Sequence, residues 1–394
     1  MTQRRFFTSS SVLPGHPDKL CDRISDALVD AYLMADPETV VRAEAAAAGQ
    51  VIFLVTDSSP RTELDVTSIV RRIIAETGYF SRDLDADRCA ILAQSSAMAR
   101  PGGKYGLGSP STRTVGDEAE DQTTVFGYAC SETPERMPLP IHLAHKISTA
   151  IASHSTRGAL PGLGPDGDVL VTIEYEDDRP VRIDTIVIRL QFTGDPSDLS
   201  EGLQQQVLVP LFGEIQMEPD QATRLLINPG GSLESAGPAR DAGHTGRKNA
   251  DDTYGGAARH GGHSLSGKDP GRLDRCASYA ARYAATNVVA AGLASQCELM
   301  LSYAMGEARP VTVFARTFGT GIISDNRLSE IIASVFDLRR AAIESSLRLR
   351  WLPRERGGRF YQLLASGGHF GRTDLAPPWE RLDAVDALRK AAGA

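Results

Sequence analysis

Residues 241–274 read DAGHTGRKNADDTYGGAARHGGHSLSGKDPGRLD, with glycines interleaved among Arg247, Lys248, Arg259, His260, His263, Lys268 and Arg272. Apolar residues are almost absent, so this stretch has no core of its own. Glycine lets a backbone approach a ligand and adopt positive φ, and Lys and Arg neutralise dense negative charge. The chemistry indicated is the holding of a polyphosphate. Gly262, Gly267 and Lys268 have P-loop spacing, but Asp269 stands where a Mg2+-binding Ser or Thr belongs, and no apolar strand leads in. A P-loop is therefore rejected.

The elements that must position this segment recur in one order. Pro17 and Asp18 open a helix with Leu20, Ile24, Leu28 and Ala31 at helical spacing, stopped by Asp36-Pro37. Strand-like runs follow at 40–48 and 51–57, and then a helix carrying Val66, Ile69, Val70, Ile73 and Ile74. The order returns with a helix marked by Ile141, Ile147 and Ile151, runs at 169–176 and 181–192, and a helix with Leu203, Val207 and Leu211. It returns again with a small-residue helix over 273–293, runs at 298–305 and 311–318, and a helix with Leu328, Ile331, Ile332, Val335 and Phe336. Three helix–hairpin–helix units make an α+β protein of small antiparallel or mixed sheets with helices on one face. In the second unit Leu170 and Thr172 leave the outer sheet face partly apolar, which predicts sheet-to-sheet contact, including contact with a partner subunit. The expected organisation is an N-terminal unit over 1–100, a mobile active-site loop over 101–120, a central unit over 121–231 and a C-terminal unit over 232–394.

Composition narrows the class. At 394 residues the chain exceeds one ordinary core, and 41% hydrophobic with 23% charged residues is the balance of a soluble globular protein. A formal charge of −8 argues against a nucleic-acid partner yet permits a local basic pocket. Cys21, Cys89, Cys130, Cys276 and Cys297 are scattered and never form CxxC, which points to a reducing, cytoplasmic setting. No apolar run has the length of a membrane span. His142 and His145, three apart on a helix, are expected to be structural.

The motifs GHPDK (15–19), EDQTTVFGYA with Asp121 and Gln122, PDG (165–167), HTGRK (244–248), DTYGGAARHGG, SGKDP (266–270), LDR (273–275) and GHFGR (368–372) occur in this order. On these motifs the chain resembles an S-adenosylmethionine synthetase (methionine adenosyltransferase) over nearly its whole length. The resemblance implies three units about a pseudo-threefold axis, a homodimer with active sites at the interface, and possibly a homotetramer. It implies attack of the methionine sulfur on the 5′ carbon of ATP with Mg2+ and K+, releasing triphosphate that is hydrolysed to phosphate and diphosphate. A neutral thioether needs alignment rather than a base, whereas a polyanionic leaving group needs electrostatic stabilisation.

The resemblance also implies roles. His16 would hydrogen-bond the departing oxygen, with Arg247, Lys248 and Lys268 completing the catalytic set. Asp18 and Asp274 correspond to Mg2+ ligands, although an aspartate at a helix start is first read as a cap. Arg272 joins the triphosphate cations in place of a usual lysine. Asp166, Asp168, Ser232, Leu233 and Asp241 fall on the nucleotide side. Asp57, Asp121, Asp241 and Arg272 fall on the methionine side, and Glu44 matches the K+ ligand.

The chain departs from the family pattern around the substrates. Asp168 replaces a lysine after PDG, an exchange costing on the order of several kcal/mol beside a triphosphate in a dry site. Asp57 replaces a glutamate, Leu233 an adenine-stacking phenylalanine, Ser10 and Pro14 two acids, and SSAMARPGG (95–103) the GKQSPDI segment. Two further readings therefore stand beside the synthetase: the same fold with another acceptor or nucleotide, and a non-catalytic partner of a true synthetase.

Overall fold

The computed structural model describes residues 3–59, 63–97, 118–156, 158–215 and 217–393. Almost all of the loop expected over 101–120 lies outside the described residues, as do 98–103 of the SSAMARPGG stretch. The chain opens with β1 (Arg4–Val12), α1 (Pro17–Ala35), β2 (Val40–Ala48), β3 (Val51–Ser59), α2 (Val66–Thr77) and β4 (Ala90–Ala97). The second stretch holds β5 (Thr123–Cys130), α3 (Leu139–Thr156), β6 (Leu163–Glu176), β7 (Arg179–Phe192), α4 (Pro196–Leu203), α5 (Val209–Phe212) and β8 (Arg224–Ile227). The third holds β9 (Gly243–His244), α6 (Asn249–Asp252), α7 (Leu273–Ala290), β10 (Gln296–Tyr303), β11 (Thr312–Arg316) and α8 (Asp325–Val335), followed by short helices.

All three hairpins read from the sequence are present, and the class is α+β with small sheets. The helix expected through Leu203, Val207 and Leu211 is interrupted, because Gln204–Leu208 widens into a π turn just ahead of Pro210. Proline cannot donate the next helical hydrogen bond, and the wider turn absorbs that loss.

Each hairpin gains a strand that does not belong to its own unit. The sheet orders are β4-β3-β2-β9, β1-β6-β7-β8 and β11-β10-β5. In each, the first hairpin strand takes an antiparallel partner: β9 on β2, β1 on β6 and β5 on β10. That partner always precedes the long helix of a different unit. The strand before α1 completes the second sheet, the strand before α3 the third, and the strand before α7 the first. The exchange is cyclic. In two sheets the second hairpin strand also takes a parallel partner, β4 on β3 and β8 on β7. Helix α7 covers the third sheet with small residues, and at Gly127 on β5 a Cβ would sit 2.1 Å from the backbone of Ala281. Only glycine fits there.

Helix α1 carries Asp18, Asp22, Asp26 and Asp30 at four-residue spacing, all buried. One helix face therefore presents a column of acceptors. Asp18 Oδ1 accepts from His244 N (3.0 Å), Asp22 Oδ1 from Gly246 N (2.7 Å) and Asp26 Oδ1 from Gly267 N (2.9 Å). Asp30 accepts from Tyr361 N and Gln362 N (2.9 and 3.0 Å). Two fully buried cations balance this column: Lys19 lies on Asp22 (3.2 Å) and Asp252, and Arg275 forks onto both oxygens of Asp26 (2.8 and 3.0 Å). Burial with paired charges is tolerable, but removal of one partner is not. Asp26→Ala is expected to cost about 3–5 kcal/mol by stranding Arg275. Chemical denaturation of wild type and variant checks this, and a loss under 1 kcal/mol would contradict the assigned role.

Candidate active site

The glycine-rich segment is strung between α1 and the edge of β2. Thr245 N donates to Ala45 O (3.0 Å), and Ala43 N donates to Gly267 O (2.8 Å). HTGRK and SGKDP are thereby laid along one strand edge, with the start of α1 beside them. Asp269, which excluded a P-loop, is a structural acceptor for Val41 N (3.0 Å) and Arg350 (2.6 Å).

His16 caps α1. Its Nδ1 accepts from Asp18 N (3.2 Å), with Pro17 at the first helical position. Because Nδ1 is the acceptor, the ring proton belongs on Nε2. Burial first, then the neighbouring Lys248, pushes the His16 pKa down to about 4. The ring is thus a neutral hydrogen-bond donor at pH 7.

Asp18 and Asp274 occupy the same place in the repeat, each the second residue of its helix, α1 or α7. Each is clamped by one lysine. Lys248 Nζ is 2.5 Å from Asp18 Oδ2, and Arg247 reaches within 3.7 Å of the same carboxylate. Lys268 contacts Asp274, which also accepts from Thr123 Oγ1 (2.6 Å). Burial would raise both carboxyl pKa values, but the lysines and the donated hydrogen bonds outweigh it and hold them below the ordinary range. The corresponding residue of α3 is Pro140, so the constellation appears twice in three repeats.

The donor set fits Mg2+ in one way. Among the described residues no three His, Cys, Asp or Glu side chains gather as a ready-made metal cage. Mg2+ is commonly held by one or two carboxylates together with substrate phosphates and waters, and the two separate aspartates beside cationic phosphate donors suit that mode.

The remaining expected residues fall into smaller groups. Asp166 is fully buried, accepts from Gly237 N (2.8 Å) and lies 3.8 Å from Arg240, and burial raises its pKa to about 6. Its Oδ1 has no partner among the described residues. Ser232 Oγ takes a hydrogen bond from Asn228 (3.2 Å), and Leu233 N donates to Leu190 O (3.2 Å), fixing both beside β7. Arg272 and Asp121, both expected near methionine, pair with each other at 2.8 Å. Asp57 is forked by Arg42 across the first hairpin, with Nε at 3.1 Å. Glu44 and Asp241 are exposed, and Asp241 accepts from Ala242 N (2.8 Å). His145 bonds Asp251 (3.0 Å), which accepts from Val12 N (3.1 Å), so its role is structural.

Comparison with known proteins gives the same order of parts. The N-terminal, central and C-terminal domain models of S-adenosylmethionine synthetase match residues 4–99, 116–233 and 235–381. The chain is 46% identical to the S-adenosylmethionine synthase of Thermosynechococcus vestitus, over 99% of this chain and 98% of that one. It is 46% identical to that of Synechococcus elongatus, over 100% and 99% of the two chains. The chain belongs to the S-adenosylmethionine synthetase family.

For a synthetase, the change at Asp168 is milder than its charge suggests. Asp168 pairs across β6 and β7 with Arg189, at 2.9 Å from Nε and 2.5 Å from Nη2. Asp168 is therefore paired with a cation of its own, which offsets the repulsion expected from its charge. Arg189 was not singled out from the sequence, because pairing between residues 168 and 189 depends on the strand register. Asp22, Asp26 and Asp30 were also missed, although their regular spacing after GHPDK is visible in the chain.

His16 makes a pH prediction for this synthetase. An unfolded histidine titrates near 6.5, the folded one at about 4. Between these values the unfolded state binds more protons, so this contribution to stability falls as pH drops from about 6.5 to about 4. Asp166, with its raised pKa, acts in the opposite sense, so the difference between wild type and His16→Asn is the informative quantity. Asparagine can keep the cap without titrating. Denaturation at pH 7 and pH 5 should show a smaller acid loss for His16→Asn, and an equal loss would refute the depressed pKa.

Proposed function

We propose that the chain transfers the adenosyl group of ATP to the sulfur of methionine, giving S-adenosylmethionine and triphosphate, which it then hydrolyses. The observation carrying this reading is the twice-repeated constellation of a helix-start aspartate clamped by a lysine from the glycine-rich segment. Two such sites along one strand edge offer cations and carboxylates to the leaving group. Arg247, Lys248, Lys268 and Arg272 bind the phosphates, and His16 Nε2–H donates to the oxygen that departs from the 5′ carbon. Asp18 and Asp274 hold Mg2+, which supplies further charge neutralisation on the phosphate oxygens. Asp166, Asp168 with Arg189, Ser232, Leu233 and Asp241 border the nucleotide. Asp57, Asp121 and Arg272 border methionine, and Glu44 contributes a K+ ligand.

The acting form is a homodimer with its sites at the interface. Phe53, Val55 and Leu92 stand 49%, 41% and 55% exposed on the first sheet, on the face that also carries Glu44 and Arg42. Apolar side chains of this size on one open sheet face suit burial against a second copy. A cytoplasmic location agrees with five buried free cysteines. No helix among the described residues is long and apolar enough to cross a membrane.

Incubation with Mg2+, K+ and ATP, with and without methionine, followed by mass spectrometry, tests the reaction. S-adenosylmethionine with phosphate and diphosphate is the expected outcome. No product with methionine, but an adenosylated product with another acceptor, would replace this reading. Arg189→Ser should lower kcat/KM for ATP by about 10- to 100-fold by leaving Asp168 unpaired beside the nucleotide. The double variant Asp168→Ser/Arg189→Ser should recover most of that loss. Failure of the recovery would mean that Arg189 acts on substrate directly.

A further inference from the structure

A cavity of about 220 Å3 lies among α1, α2, α3 and residues 359–372. None of the residues assigned above to ATP, methionine or metal lines it. Its wall holds Arg23, Arg359 and Arg372 against a single carboxylate, Glu76. Glu76 is already engaged, by Arg72 (3.2 Å) and by Arg359. Arg372 is paired with Asp374 and ties down the carbonyl of Ser366 (2.8 Å). Arg23 is left with one hydrogen bond, to Thr77 Oγ1 (2.7 Å), and no carboxylate partner among the described residues. Burial, reinforced by Arg359 and Arg72, presses its pKa down despite Tyr79 and Glu76.

Two buried polar groups of the lining are also unspent. Gln362 is 4% exposed, its Oε1 faces Arg72 (3.5 Å), and its Nε2 has no partner among the described residues. Ser366 Oγ is likewise unpartnered. Orphaned buried donors call for a ligand or water, and a guanidinium short of counter-charge calls for an anion. The GHFGR motif, unused in the reading above, contributes Arg372 here.

We propose that this cavity is a second anion site, taking a phosphate- or diphosphate-sized oxyanion between Arg23, Arg359 and the Gln362 amide. The unmatched guanidinium and the unpartnered donors are present whichever reaction the chain performs.

The test is calorimetric titration of inorganic phosphate and of diphosphate into the full chain and into Lys268→Ala, Arg23→Gln and Ala152→Met. Lys268→Ala weakens the other phosphate-binding region and should retain a binding event. Arg23→Gln should weaken that event at least tenfold. Ala152→Met, which fills the cavity while leaving every arginine in place, should do the same and covers the case in which Arg23→Gln fails to fold. Unchanged binding in Ala152→Met, or no binding of either anion to Lys268→Ala, would overturn the proposal.

Discussion

A glycine-rich segment with few apolar residues to anchor it, chiefly the buried Tyr254 and Leu265, depends on hydrogen bonds, and here the acceptors are four carboxylates on one face of α1. Lys248 holds Asp18 below the ordinary carboxylate range, so its bond goes to an ionised acceptor, and such bonds are shorter and roughly twice as strong as neutral ones. Burial instead pushes the Asp30 pKa up to about 8. These hydrogen bonds are also directional, so each aspartate fixes one backbone N–H rather than a general region. Three of the four hold parts of HTGRK and SGKDP, and the fourth holds the start of a C-terminal turn. The glycine-rich segment is thus tied to a buried helix although its own sequence favours no rigid element. The column is stable only because Lys19 and Arg275 are buried beside it.

The same logic of paired charge extends to the chemistry. Lys248 and Lys268 sit on aspartates within the chain itself, so the cations and carboxylates of the proposed site are already placed, and the proposed transfer would require little reorganisation of them. Arg42 on Asp57, Arg272 on Asp121 and Arg189 on Asp168 repeat the pattern at the edges. In each of these places a carboxylate and a guanidinium occur together rather than singly.

Much of this was legible in the chain. The three hairpins and their long helices follow from apolar periodicity, and the proposal of a phosphate site in residues 241–274 follows from their composition. What stayed hidden depends on pairing between distant segments. β9 is two residues long, and β1 reads as a polar arm, so neither declares itself a strand until its partner is known. Arg189 becomes informative only through the register of β6 and β7. The aspartate column was visible as spacing, but a helix face of acids normally means solvent. Its burial follows from the donors that fold over it. Glu44 and Asp241 stand exposed in the single chain, and no contact in it defines their proposed roles.

The cyclic exchange of strands has a consequence for synthesis on the ribosome. The sheet of the second unit needs β1, which emerges first and waits for β6. The sheet of the first unit is not closed until Gly243 and His244 have been made. At about 5–20 residues per second, the nascent first sheet keeps an open edge for roughly ten seconds or more. Long-range pairings of this kind fold slowly and expose edges in the meantime. The Ala43, Ala45 and Ala47 face of β2 is buried under α1, so the waiting edge offers mostly small side chains. A strand so poor in bulky β-branched residues is a weak template for a neighbouring chain, which favours waiting for the right partner over aggregation.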